Sequence, residues 1–227
     1  MAISRVQTAT VNAGNTNVTS LNLVFGAAPT AGNILVLGVS SLGNAPIIAP
    51  SSSLSVMENI VIGANSTWGT VMVLRVYSGA SATITVNIQS ATLFSVAGAE
   101  YSGAFPKFDR QIGAIGSSNS PSSGATSTTS TANQLWIGVI GARGAMTFSA
   151  PSGGFSIAAQ TATTAATNND RAVCLLDQIV SSTGTPTVGA TMSASNNWAA
   201  QVVTIEEATS GGSGLVGRLV DSNNLVA

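Results

Sequence analysis

Apolar residues in this chain come in short runs of Val, Ile, Leu and Thr, separated by clusters of Gly, Asn, Ser and Pro. Ile84, Val86 and Ile88 alternate with Thr83, Thr85 and Asn87. A period of two puts one set of side chains on each face of a strand, one face covered and one wet. Residues 19–25 alternate in the same way, with Leu21, Leu23 and Phe25 on one face. Residues 33–40 form a continuous apolar run, which suits a strand covered on both sides. Further strands are predicted over 71–78, 93–101, 111–116, 125–131, 134–141, 155–161, 172–180, 187–192 and 198–206. No extended stripe at helical spacing is present, and the helix formers Glu and Lys are scarce. The pattern predicts an all-β, jelly-roll-like antiparallel sandwich.

The strands repeat. Asn33–Val39 resembles Asn133–Val139 at a shift of 100, Val71–Tyr77 resembles Val173–Ile179, and Thr83–Ile88 resembles Thr185–Ala190. Both halves end in an apolar strand closed by an acid, Val96–Glu100 and Val202–Glu206. We therefore expect one sandwich over residues 1–208, built from two similar four-stranded halves, about 1–116 and 117–208. Residues 209–214 (Thr-Ser-Gly-Gly-Ser-Gly) have the composition of a flexible linker. Residues 215–227 are too short for a core of their own, yet carry Leu215, Val216, Leu219, Val220, Leu225 and Val226. Such residues gain nothing in solvent, so this arm is read as an interface element that engages a neighbouring subunit.

Charge removes several functions. Only 7% of residues are charged and the net charge is −1, against about 25% charged in an ordinary globular protein. With 44% hydrophobic residues, the chain is the opposite of a disordered one. The seven Lys and Arg are scattered, so the phosphate-neutralising patch of a nucleic-acid binder is missing. No uncharged apolar run is long enough for a membrane helix, and Met1–Arg5 carries no apolar signal core. Synthesis in a host cytoplasm is expected. A near-neutral surface favours association, and a homo-oligomer, with a trimer as the working guess, is the expected state.

The search for chemistry finds little. There is no His, so a Ser-His-Asp triad cannot be assembled, and one Cys without His cannot build a zinc site. Cys174 lies in an apolar run and reads as a buried inert thiol. Glu100 and Glu206 close equivalent strands and read as strand-end partners for an arginine or a backbone amide. Asp170 and Asp177 are the nearest approach to a calcium pair, without the loop that would complete it. No catalytic, cofactor or metal residues are assigned, and no enzyme activity is expected. Trp136 and Trp198 read as packing residues, whereas Trp68 follows Asn65-Ser66-Thr67 and is the candidate exposed contact.

One resemblance adds to this reading. Its elements are Gly32–Val39, Trp68 near a turn, a strand ending Val76-Tyr77, and Ala99-Glu100-Tyr101-Ser102-Gly103 with Asp109 soon after. Together they resemble a recurring β-sandwich of tailed-bacteriophage structural proteins and related bacterial surface proteins. The resemblance implies a virion protein: a capsid decoration or cement protein, a head fibre or a tail appendage. Its partners would be the major capsid protein or other virion proteins. The other reading is a glycan- or receptor-binding module of a phage head or tail fibre.

Overall fold

The structure, a computed structural model, describes residues 2–42, 46–48, 53–64, 67–76, 79–166 and 168–208. The predicted linker and arm lie outside these residues, as does the side chain of Trp68. The first half contains β1 (Ser4–Asn12), β2 (Val18–Val24), β3 (Ile34–Ser41), β4 (Pro46–Ile48), β5 (Leu54–Ala64), β6 (Thr67–Val76), β7 (Thr83–Thr92) and β8 (Phe94–Ser102). The second contains β9 (Ala104–Ser118), β10 (Gln134–Arg143), β11 (Phe148–Ser152), β12 (Ser156–Ala162), β13 (Arg171–Val180), β14 (Gly189–Met192) and β15 (Asn196–Glu207). Every pairing is antiparallel.

The all-β antiparallel sandwich is present, and so is the duplication. One five-stranded sheet runs β1-β8-β3-β6-β5 and the other, read from its opposite edge, β9-β15-β10-β13-β12. These are the same order with each strand replaced by its counterpart. Each half also folds an outer sheet: β2-β7-β4 in the first, and β11-β14 in the second. There, residues 122–129 take the place of β2 by bonding to 184–189, including Ser123 N–H to Val188 O at 2.9 Å and Thr129 N–H to Gly184 O at 2.8 Å. Each half is therefore more than the expected four strands, and is itself a two-layer jelly-roll unit.

Three apolar cores hold the layers. One lies under each outer sheet: Leu23, Leu35, Leu37 and Val86 in the first half, Trp136, Ile140, Cys174 and Val202 in the second. The third is the seam where the five-stranded sheets face each other, with Ile34, Val36 and Val73 packed against Leu135, Ile137 and Val203. Strands β3, β8, β10 and β13 are covered on both sides, so both faces of each are apolar and their sequence reads as an unbroken run.

Three expectations change. The junction of the halves is at Gly103 rather than near residue 116, because β9 already pairs with β15 of the second sheet. The strand set differs: the strand predicted over 125–131 is irregular backbone bonded to 184–189, and β1, β4, β5 and β11 are not among the predicted strands; β1 and β5 carry register shifts, between Arg5 and Gln7 and between Val56 and Glu58, which break the alternation that announces a strand. The repeat at a shift of 100 pairs the right strands on the wrong faces. A Cβ on Gly38 would lie 2.9 Å from Val139 in the seam, whereas one on Gly138 would overlap Val188 under the outer sheet. The structural register is 101, with Ile34 opposite Tyr101 where Leu135 is opposite Ile205. A slip of one residue reverses every side chain.

Candidate functional site

The seam ends in a polar cluster contributed by both halves. Arg5 lies on edge strand β1, Tyr101 at the end of β8, and Asp177 on β13, on the same face as Val173 and Leu175. Arg5 Nη1 donates to both carboxylate oxygens of Asp177 at 2.9 Å, and the Tyr101 hydroxyl donates to Asp177 Oδ2 at 2.8 Å. Tyr101 is fully buried; burial first, and then the adjacent Asp177 carboxylate, hold its hydroxyl well above the usual tyrosine range. Near neutral pH the phenol therefore keeps its proton and donates it to Asp177. Beside the cluster opens a cleft of about 420 Å³ lined by Arg5, Gly154, Ser156, Asp177, Gln178 and Ile179. Ile179 is 49% exposed and supplies its apolar wall.

The other buried acids are engaged in holding loops. Glu100 is fully buried and accepts from Gln7 Nε2 at 2.6 Å, Asn33 Nδ2 at 2.6 Å and the Thr30 amide at 2.8 Å. In the second half the same loop is held by Asp109, which accepts from the Ser130 amide at 2.6 Å, Ser130 Oγ at 2.7 Å and Gln134 Nε2 at 2.8 Å. The carboxylate has moved from the strand on one side of the loop to the strand next to it, while the side-chain amide donor is kept, Asn33 in the first half and Gln134 in the second. Burial opposes ionisation of Asp109, but the hydrogen bonds from Gln134 and Ser130 and the Arg110 charge outweigh it and lower its pKa. Glu206 pairs with exposed Lys107 at 2.9 Å. Asp170 accepts from Thr163 Oγ1 at 2.6 Å and the Ala165 amide at 2.9 Å.

This places the sequence candidates. Glu100 does bind a backbone amide, but its side-chain partners are Gln7 and Asn33 rather than an arginine, and Glu206 pairs with a lysine. Asp170 immediately precedes β13 and Asp177 lies within it, seven residues further on, about 23 Å at the rise of a strand. They share no site, and no group of three metal-ligating residues occurs among the described residues. Trp136 is buried with its Nε1 donating to Gln134 at 3.0 Å, and Trp198 is partly buried with its Nε1 donating to Ser118 Oγ at 3.0 Å. Cys174 is buried, which pushes its thiol up to about 12. Sequence reasoning missed Arg5 and the seam cluster. The Tyr101-Ser102-Gly103 segment stands out in the sequence, but nothing local announces that Asp177 lies across from it.

A second groove, of about 270 Å³, lies where β5 and β9 come together, lined by Ile60, Ile62, Gln111, Ile112 and Gly113. Among the described residues, no helix is long and apolar enough to cross a membrane. No family model, curated protein or solved structure matches the chain.

Proposed function

We propose that this chain is a structural virion protein of a tailed bacteriophage, a capsid decoration or cement protein that stabilises the particle by binding neighbouring capsid subunits. The observation that carries this reading is the use of the buried acids. Glu100, Asp109, Asp170 and Asp177 are all engaged in holding loops or the seam. With only 7% charged residues, the surface offers a partner mainly uncharged contact: hydroxyl groups, exposed apolar side chains such as Val24, Ile115 and Ile179, and strand edges. Such a protein works by contact area, with weak contacts summed over many copies. It needs no cofactor and performs no reaction. The arm residues Leu215, Val216, Leu219, Val220, Leu225 and Val226 are its contact element, and a trimer is its working unit.

The test is attachment to particles. Deleting 211–227 should leave the sandwich folded, by circular dichroism and unfolding midpoint, and weaken attachment to purified capsids or the oligomer measured by light scattering. Absence of the protein from purified virions would overturn the proposal. A second reading, the glycan- or receptor-binding module, is favoured by the polar cleft at Arg5, Ser156, Asp177 and Gln178. It expects binding on a glycan array or to host cells that is lost on Ser156→Trp, which would fill the cleft, or on Trp68→Ala.

A further inference from the structure

We propose that residues 215–220 of the C-terminal arm add as a strand to the open edge of β9 and place Leu215 and Leu219 in the groove between β9 and β5. The proposal rests on the reading of the arm as a contact element and assigns its acceptor.

The two places where edge strands of the facing sheets meet differ. At one, β1 and β12 are tied together: Asn12 Nδ2 donates to Thr161 Oγ1 at 2.9 Å, and the Thr164 amide donates to Gly14 O at 2.9 Å just beyond the strands. At the other, β9 pairs only with β15, and among the described residues no strand occupies its outer edge. That edge has no charge from Gln111 to Ser118, with Ile112 38% and Ile115 46% exposed. A long uncharged apolar edge is a template for another strand, and proteins ordinarily blunt or cover one. Here the charges of β9 are confined to Lys107, Asp109 and Arg110, outside the groove.

The position of the chain end selects the occupant. The Ala208 amide donates to Gly103 O at 2.8 Å, so the chain leaves the body beside the start of β9. From Ala208 to Leu215 is seven residues, a reach of about 23–25 Å when extended. From Ala104 to Gln111 is also seven residues, about 23 Å along a strand. Gly211, Gly212 and Gly214 give the linker the backbone freedom to turn around the start of β9. In an extended segment Leu215 and Leu219 share one face with Gly217 between them, and Arg218 falls on the other. Backbone pairing would supply affinity and the two leucines would fill the groove, the usual division of labour in strand addition.

Amide hydrogen exchange on the full chain tests this. The amides of 111–118 that face away from β15 should exchange at least tenfold faster in Leu215→Asp/Leu219→Asp than in the unaltered protein. In Ile115→Cys/Leu219→Cys, oxidation should give a disulfide, within one chain or between two copies, because Ile115 shares the face of Gly113 and lies four residues beyond Gln111 as Leu219 lies four beyond Leu215; Cys174 is buried and stays out of the exchange. Unchanged protection of 111–118 together with no crosslink overturns the proposal. If the Asp variant detaches from particles while β9 protection is unchanged, the arm is a contact element that docks elsewhere, and only this proposal falls. If β9 is deprotected while attachment to particles is unchanged, the docking stands and the virion role of the arm falls.

Discussion

The two ends of the seam occupy equivalent positions in the duplicated sheets, and one is polar while the other is apolar. Strand pairing makes Arg5, Tyr101 and Asp177 the counterparts of Phe108, Ile205 and Val73. The first set is an ion pair with a tyrosine bond; the second belongs to the common apolar core of the seam. The same backbone thus closes equally with either chemistry, so the polar set is not what makes the sheets stack. A buried ion pair replaced by well-packed apolar groups is often neutral or stabilising, whereas removing one partner alone is costly. The polar end is also the one beside the cleft, which gives it a reason to be there other than stability.

The largest effect we expect comes from splitting that pair. Asp177→Ala strands the Tyr101 hydroxyl in the seam and leaves Arg5 half in solvent, and should cost about 2–4 kcal/mol in urea unfolding. The triple change Arg5→Phe/Tyr101→Ile/Asp177→Val installs the set already present at the other end. It should recover stability to within about 1 kcal/mol of the unaltered protein, since the site then has matched apolar partners. A triple variant as weak as Asp177→Ala would show that the two ends are not equivalent.

The loop anchors sharpen the same comparison. Glu100→Gln turns an acceptor toward three donors with no solvent to compensate, and should cost about 2–3 kcal/mol. Asp109→Asn should cost less, about 1–2 kcal/mol, since its loop is reachable by water. Because the folded pKa of Asp109 is lowered, its contribution is present above the ordinary carboxylate range, near pH 4, and is lost as pH falls through the folded value. Acid titration of the unfolding midpoint should therefore be shallower below pH 4 in Asp109→Asn. Equal slopes in the two proteins would remove Asp109 from the account.

These pairs also show what the sequence could and could not reveal. The strands of the covered layers were legible because both faces of each are apolar. The duplication was legible through Val71–Tyr77 and Val96–Glu100, whose counterparts lie on matching faces. The register of β3 against β10 was not: identities at Asn33, Leu35, Gly38 and Val39 favour a shift of 100, and only strand pairing shows that the backbone register is 101. β1 and β5 were hidden by their bulges. The candidate site was the least legible, because Arg5 and Asp177 are 172 residues apart and join only when the second half stacks on the first. No local spacing encodes that contact.

Packing at the glycines gives the next test of the register. Gly38→Ala should load the seam and Gly138→Ala the outer core of the second half, each costing about 1–3 kcal/mol as an overpacked site. The two costs should add in the double variant, because the positions face different cores and share no partner. Strong coupling between them would mean that both face the same core, and the register of 101 would be wrong.

The smallest effect is at Tyr101, where only one bond is removed. Tyr101→Phe keeps the ring in the seam and leaves Asp177 with Arg5, so the cost near neutral pH should be about 1 kcal/mol. Its pH dependence is more informative. The hydroxyl is held above its ordinary value, so its contribution is fully present below about pH 10, where the unfolded phenol begins to ionise, and declines as pH rises through the folded value. The unaltered protein should therefore lose stability above pH 10 more steeply than Tyr101→Phe, and the gap between them should narrow. Ile205, at the other end of the seam, has no proton to lose, so Ile205→Val should run parallel to the unaltered protein across that range. If Tyr101→Phe runs parallel as well, the phenol is not held neutral by the seam, and the polar end differs from the apolar one in shape alone.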